Sequence, residues 1–452
     1  MRALKHVFLL SPTCVLLAGW VPTLAEPPAL RFRMHPRVSR AEVVRRTLKP
    51  FTGEHRGGVD TTTLNGKVMC GYQGWFTCPG DGSGRGWYHW QKRGAFRPGS
   101  CTIDLWPDVS EFPAAERFAT EFVLADGSPA EVYSPLVASS VHRHFQWMRD
   151  YGIDGVFVQR FGAEIRHVMG LYHFNTVLAN CRAGANAQGR AWAVMYDLSG
   201  LGRDAAQVII DDWKMLVDHM RIGRDAGDKS YLRHAGRPVV AVWGIGFNDN
   251  RKYTLDDCAR IVDFLANDAE YGGNTVMLGL PTYWRTLRRD SVADKKLHQI
   301  VQAAHIVSPW MVGRFRTPRQ VERVALDVWK PDIDWCRNHG KDYLPVVFPG
   351  FSWHNMNPQS PLDQIPRLGG RFLWKQFVEL RRAGATMVYQ AMFDEVDEAT
   401  AIFKCTNKPP VGKSRFLDYA GLPSDHYLWL VGQGGRLIRG EINPTQMLPA
   451  RP

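Results

Sequence analysis

The chain has 452 residues, of which 45% are hydrophobic and 22% charged, with 56 Lys and Arg against 44 Asp and Glu. That is the profile of an ordinary globular protein and excludes a disordered tail or a polytopic membrane protein. The formal net charge of +12 is scattered, with no run of five basic residues, which argues against a nucleic-acid binder that gathers its charge in a patch or an arm.

Residues 1–25 read as a secretory signal. Arg2, Lys5 and His6 form a basic start, and a mainly apolar stretch runs from Val7 to Trp20. Thr23-Leu24-Ala25 then offers a cleavage site before Glu26. The stretch is too short for a transmembrane span, and no later segment approaches 18 apolar residues. The expected location is therefore secreted or periplasmic, with no integral membrane span after cleavage and a mature charge of about +10 (12 minus Arg2 and Lys5). Seven cysteines then remain, too few for a disulfide scaffold, and the absence of C-x-x-C argues against a zinc ribbon or a thioredoxin-type site. Cys78 and Cys101 flank one loop and are a candidate pair, whereas Cys70 and Cys181 lie in apolar patterns and are expected as buried thiols.

Residues 26–65 are rich in Pro, Arg and Gly and are expected to be irregular, apart from a short helix opened by the capping box Ser39-Arg40-Ala41-Glu42. From Gly66 a rhythm sets in. Short apolar runs at 67–72, 155–160, 191–197, 238–243, 275–280, 305–310, 345–349 and 386–393 have the character of strands covered on both faces. Amphipathic stretches lie between them: Val141, Phe145, Met148 and Tyr151 before Gly152; Ile209, Trp213, Leu216 and Met220; a helix capped by Thr254; one opened by Thr317-Pro318; and one from Phe372 to Gly384. Eight strands alternating with helices predict an α/β fold, a single (β/α)8 TIM barrel over 66–432 with long βα loops, the longest being 73–154, and a tail at 433–452. An open doubly wound sheet is the alternative, but no Gly-rich phosphate fingerprint follows any strand. Gly80-Asp81-Gly82-Ser83-Gly84 lacks the residues of a P-loop, and no cofactor is expected.

In such a barrel the working residues lie just past the carboxyl ends of the strands. The first run leads into Gln73, Trp75 and Phe76, and its loop carries Trp87-Tyr88-His89-Trp90. The second ends in Gln159-Arg160-Phe161, the third in Tyr196-Asp197 and the fourth in Trp243. The fifth leads to Tyr283-Trp284, the sixth to Trp310 and the seventh to Phe351, Trp353 and His354. Sugars present apolar C–H faces and a rim of hydroxyls, which flat aromatic rings and polar side chains match. The candidate glycan-binding residues are thus Trp75, Trp87, His89, Trp90, Arg160, Asp197, Trp243, Tyr283, Trp284, Trp310, Trp353 and Asp394.

The eighth run ends in Asp394-Glu395-Val396-Asp397-Glu398, four carboxylates in five residues of a basic chain. Glycoside hydrolysis needs one carboxyl protonated and one ionised, and crowded like charges raise one pKa and so supply the protonated partner. A solvated acidic loop is the plain alternative; a calcium loop is disfavoured because the D-x-[DN]-x-[DN]-G spacing is missing, and no metal is expected.

The segment from Met392 to Ile402 resembles the Phe-Asn-Glu-Trp-His-Glu-Gly-Thr-Gln-Ile motif of glycoside hydrolase family 99, the endo-α-mannosidases, and the related motif of the family 71 α-1,3-glucanases. Gly71-Tyr72-Gln73-Gly74-Trp75-Phe76 with Gly86-Trp87-Tyr88-His89-Trp90, then Asp154–Phe157, Arg237–Val240 and Pro349-Gly350-Phe351, are similar to that clan's strands in order. The resemblance implies a glycosidase acting on α-linked glycans of mannan or glucan type. Glu395 would be the base that deprotonates the sugar's own 2-hydroxyl, giving a 1,2-anhydro sugar. Glu398 would protonate the leaving oxygen and then activate water. Here Asp394 stands for Asn, Val396 for Trp, Asp397 for His and Ala399 for Gly. A non-catalytic glycan-binding barrel is the second reading. The expected partner is an oligo- or polysaccharide, with an acidic one in keeping with the charge of the chain and no nucleic acid.

Overall fold

The structure, a computed structural model, describes residues 38–451. The expected signal at 1–25 and the start of the irregular segment lie outside the described residues. The barrel strands are β1 (Val68–Tyr72), β4 (Gly155–Phe161), β5 (Ala191–Asp197), β7 (Arg237–Trp243), β8 (Thr275–Leu280), β9 (Ile306–Pro309), β10 (Asp342–Tyr343), β11 (Val346–Val347) and β12 (Val388–Gln390). The first loop carries an antiparallel pair, β2 (Phe118–Val123) and β3 (Pro129–Val132), and β6 (Arg233–His234) is a short antiparallel partner of β7.

The barrel strands pair in parallel in the order β10-β9-β8-β7-β5-β4-β1-β12-β11. The two ends of that order are one extended segment. Asp342–Tyr343 pairs with β9, Val346–Val347 pairs with β12, and only Leu344 and Pro345 separate them. Pro345 has no N–H to give the ladder; its carbonyl accepts from the Tyr389 amide (2.8 Å) while the Leu344 amide reaches back to Val307 (2.9 Å). The sheet is thereby closed, and the protein is a (β/α)8 barrel whose seventh strand is broken at a proline.

The surrounding helices are α1 (Arg40–Thr47), α2 (Ala138–Tyr151), α3 (Gly162–Ile165), α4 (Val168–Gln188), α5 (Ala205–Met215), α6 (Leu255–Asn267), α7 (Lys296–Ala303), α8 (Pro318–Val324), α9 (Lys330–Asn338), α10 (Arg371–Ala383) and α11 (His426–Ile438). Local signals set their ends. Ser39 caps α1 by accepting from the Glu42 amide, α6 opens with a reciprocal Thr254–Asp257 capping box, and Gly152 closes α2 at φ 73°. The 21-residue α4 has no marked apolar stripe, because α1 and α2 pack against it as well as the barrel strands β4 and β5. The expected boundary at 432 falls inside α11, where the backbone meets α2 so closely that a Cβ on Gly432 would sit 1.9 Å from the Tyr151 carbonyl oxygen.

Strand periodicity decides what faces the lumen. On β4, Phe157 stacks on Tyr389 (5.8 Å) and Gln159 donates to the Tyr389 hydroxyl (3.1 Å), so these odd positions point inward. Arg160, one residue past Gln159, has the opposite parity and points outward to Asp212 of α5. On β8, Gly279 makes room for the Trp243 indole of β7, whose ring would lie 2.4 Å from a Cβ there. The seven described cysteines are all buried and unpaired. Cys78 donates to the Tyr133 carbonyl (3.3 Å) and Cys101 to the Ser414 hydroxyl (3.4 Å), so the expected Cys78–Cys101 pair is not formed. No helix among the described residues is long and apolar enough to cross a membrane.

Candidate active site

The carboxylates follow β12 at the carboxyl end of the barrel. Backbone bonds fold the segment back on itself: the Ala401 amide donates to the Glu395 carbonyl (2.8 Å) and the Ile402 amide to Met392 (3.1 Å). The Arg367 guanidinium clamps the return by donating to the carbonyls of Ala399 (2.7 Å) and Ala401 (2.6 Å). Ala399 is held at φ 50°, a left-handed conformation that costs an L-residue with a Cβ about 1–2 kcal/mol. Ala399→Gly is therefore expected to stabilise the fold by up to about 1 kcal/mol, the relief of strain being partly offset by the greater freedom of the unfolded chain. A lower denaturation midpoint for this variant would show that the turn is not strained.

Each carboxyl has a different environment. Asp394 is fully buried and accepts from the amides of Gln73 (2.7 Å) and Gly74 (2.9 Å), which pins the end of β1 to the end of β12. Burial pushes its carboxyl up to about 7 against those two donors. Glu395 is buried and accepts from Gln73 Nε2 (2.8 Å) and Thr400 Oγ1 (2.6 Å), one donor on each oxygen. Burial, then the Glu398 and Asp397 carboxyls, raise it well above the usual range, and the two donors pull the other way. Glu398 is half-buried and has no such donors; burial, then Asp397, push it up to about 7. Two like carboxyls in one enclosed site resist double ionisation. The paired donors on Glu395 favour its charged form, against the larger effects of burial and of the neighbouring carboxyls.

Asp397 holds the first loop. Its Oδ2 is 3.2 Å from His89 Nδ1, and His89 lies flat on Trp75 (4.0 Å, 7°), which stacks in turn on Phe161 (5.2 Å). Across the mouth, Asp197 and Trp243 are register neighbours on β5 and β7, and Trp310 meets Trp243 (5.6 Å) and Tyr389 (6.4 Å) edge to face. Tyr389 sits between the two sides, its hydroxyl raised by burial and by both the Glu395 and the Asp197 carboxyls. Burial also raises Asp197, which accepts from the Ser199 amide (2.7 Å). Several polar atoms around the mouth are buried without a partner: the acceptors Gln73 Oε1, Gln159 Oε1 and Asp397 Oδ1, and the donors Trp75 Nε1 and Trp243 Nε1. Buried polar groups are rarely left unpaired in folded proteins, and a cluster of them marks a place for a hydrogen-bonding ligand or for water. Among the described residues no group of His, Cys, Asp and Glu is arranged to hold a metal ion.

The structure thus brings together Glu395, Glu398, Trp75, His89, Asp197, Trp243 and Trp310. Other expected glycan-binding residues lie elsewhere. Arg160 is almost fully buried in an ion pair with Asp212 (2.5 Å) behind the barrel wall. Trp90 is buried among Phe76, Phe96 and Tyr133, and Trp284 is buried against Trp335 with its indole N–H on Asp332 (3.1 Å). Trp87 and Trp353, by contrast, stay beside the site: both are half-buried, Trp87 packing on Phe96 two residues before His89, and Trp353 on Phe351 with its N–H on Ser360 (2.7 Å), next to Ser352, whose amide donates to the Glu398 carbonyl (3.0 Å). Tyr283 faces a separate cavity, and Asp394 is an anchor without exposed surface. Gln73, Gln159, Tyr389 and Thr400 are the residues that chemistry-bearing side chains alone do not single out. The period-2 alternation from Gly71 to Gln73 and from Phe157 to Gln159 is the signal that places the glutamines in the lumen.

No family model matches the chain, and no curated protein matches it. The fold is similar to that of the endo-alpha-mannosidase of glycoside hydrolase family 99 from Bacteroides thetaiotaomicron. The two are 15% identical over 84% of this chain and 99% of that one, with a TM-score of 0.61. A structure of the mannosidase from the same organism in complex with bis-tris propane gives the same identity, coverage and TM-score. The resemblance read from the motif around Glu395 and Glu398 is thus matched by a shared barrel over most of both chains.

Proposed function

We propose that the protein is a glycoside hydrolase acting on α-linked glycans, with Glu395 as base and Glu398 as acid. The observation that carries this reading is the carboxyl pair at the end of β12, one member buried and held by two donors, the other half-buried and pushed up to about 7. The aromatic wall and the unpartnered polar atoms around it supply what a sugar ring needs: flat apolar faces and matches for hydroxyls. In this reading the Glu395 carboxylate takes the proton of the 2-hydroxyl as that oxygen closes on the anomeric carbon. Glu398 gives its proton to the departing glycosidic oxygen. Glu398, now ionised, then takes a proton from the water that opens the anhydro ring, and Glu395 returns its proton to the 2-oxygen. Asp397, held by His89, lies beside Glu398, and its carboxyl raises the Glu398 pKa. We further propose that the protein works outside the cytoplasm, as the residue pattern of 1–25 implies.

The pH dependence follows from the same groups. Turnover needs Glu395 ionised and Glu398 protonated. Because Glu398 lies at about 7, activity is expected to fall as pH rises above about 7. It also falls on acidification as Glu395 takes up a proton, at a pH above the usual carboxylate range because that group is raised. A bell-shaped profile of kcat/KM is the expected result. Activity that stays level from pH 6 to about 9 would remove Glu398 from the acid role.

A further inference from the structure

The loops after β8 and β9 leave the barrel at the same end as Asp394–Glu398 and enclose a second cavity, of about 310 Å³, beside α8. Tyr283, Phe315, Arg289, Arg314, Arg323 and Asp327 line it. The two loops are tied together by Thr282, whose hydroxyl donates to the Trp310 carbonyl (2.6 Å), and the Trp310 ring is part of the wall of the catalytic mouth. Tyr283 of the cavity thus adjoins, through Thr282, the segment that carries Trp310 of the catalytic mouth.

Its charge is opposite to that of the mouth. The loop after β8 carries Arg285, Arg288 and Arg289, and the loop and helix after β9 carry Arg314, Arg316, Arg319 and Arg323. Arg285 is spent on Asp332, and Arg314 on Asp290 (3.0 Å). The Arg289 guanidinium lies 4.4 Å over the Tyr283 ring and donates to its hydroxyl (2.5 Å). Among the described residues neither Arg289 nor Arg323 has a carboxylate partner, and both are exposed. Glu322, beside Arg323 in sequence, is paired with Lys375 (2.5 Å), and Asp290, beside Arg289, with Arg314, which leaves Asp327 as the carboxyl in a lining that carries Arg289, Arg314 and Arg323. Guanidinium forks without a carboxylate partner, held beside the Tyr283 hydroxyl, match the anionic group of a charged sugar.

We propose that this cavity is a remote subsite for a carboxylate- or sulfate-bearing sugar of the glycan, while the sugar held at Glu395 and Glu398 is uncharged. The proposal rests on the glycosidase reading and names the substrate class for it. The Glu395 carboxylate disfavours an anion at the reacting position, and the arginines attract one at the rim. The net positive charge of the chain then has a local use at the end of the barrel where substrate enters.

The test is direct binding, which does not require turnover. The full-length protein and its E398Q variant are titrated calorimetrically with digalacturonate, an oligogalacturonate short enough to occupy the cavity without entering the mouth, with maltose as the uncharged chain of equal length, and with a short DNA duplex. The oligogalacturonate is expected to bind at least about tenfold tighter than the uncharged chain at 50 mM salt, and the advantage is expected to shrink severalfold at 500 mM. R289Q combined with R323Q, both surface changes, is expected to abolish that advantage without altering affinity for the uncharged chain or the melting temperature. A preference that survives the double substitution or high salt overturns the proposal. So does absence of oligogalacturonate binding, and so does DNA binding of equal strength. If the uncharged glycan is hydrolysed while oligogalacturonate fails to bind, this proposal falls and the glycosidase reading stands.

Discussion

Glu395→Gln and Glu398→Gln are each expected to lower kcat by at least about 10³-fold, since a positioned acid or base contributes roughly 10²–10⁴-fold and here each group serves in both half-reactions. The two variants should differ in a way that a structural defect would not produce. A glycosyl fluoride needs no proton on its leaving group. E398Q should therefore recover much of the first step with that substrate, whereas E395Q should not. Both variants should remain folded. The amide put in place of the Glu395 carboxyl still accepts from Gln73 Nε2, and the Thr400 hydroxyl can rotate to accept from its NH₂. The cost is one exchanged hydrogen bond, about 1 kcal/mol. Stopped-flow release of fluoride, with melting curves as a control for folding, checks the pair. Equal losses on both substrate types for both variants would take the acid role away from Glu398.

Disrupting the Arg160–Asp212 pair should produce the opposite pattern, a loss of stability with chemistry retained. Both side chains are 1% exposed, and Asp212 also accepts from the Tyr196 hydroxyl (2.8 Å) while Arg160 donates to Asn175 (2.8 Å). Asp212→Ala leaves a guanidinium buried without its counter-charge, a change that costs about 3–5 kcal/mol. Arg160→Met strands the carboxylate with a similar cost. In either variant kcat and KM of the folded fraction should be close to those of the wild type, because the pair lies on the helix side of β4. Urea unfolding combined with kinetics well below the transition separates the two effects. A variant of normal stability with a raised KM would put Arg160 back among the glycan ligands.

The contrast between Arg160 and Gln159 shows what could be read in the sequence. The apolar runs announced the strands and their alternation with helices, because strands covered on both faces must be apolar throughout. Identical burial on both faces also hides which side of a strand looks into the lumen. Arg160 drew attention as a charged strand end, but one step in a period-2 strand sends it to α5 and leaves Gln159 facing Tyr389. Trp90 and Trp284 mislead for a related reason: the long first loop and the loop after β8 need cores of their own, and large aromatics fill them. The break at Pro345 and the clamp by Arg367 depend on contacts far apart in sequence, and no local pattern encodes them. The acidic cluster was legible because four carboxylates in five residues at a strand end have few uses, although its first member proved to be an anchor. Asp394 ties β12 to β1 through two amides, and the catalytic assignment falls on the glutamates beside it.

Product release from a panel of α-linked manno- and gluco-oligosaccharides, followed by chromatography with wild-type protein and E398Q side by side, tests the central claim most directly. The account predicts that the wild type liberates a new reducing end from at least one of these glycans and that E398Q, under the same conditions, does not. Binding of the glycans without any cleavage by the wild type would contradict it and leave a barrel that holds sugars without breaking them.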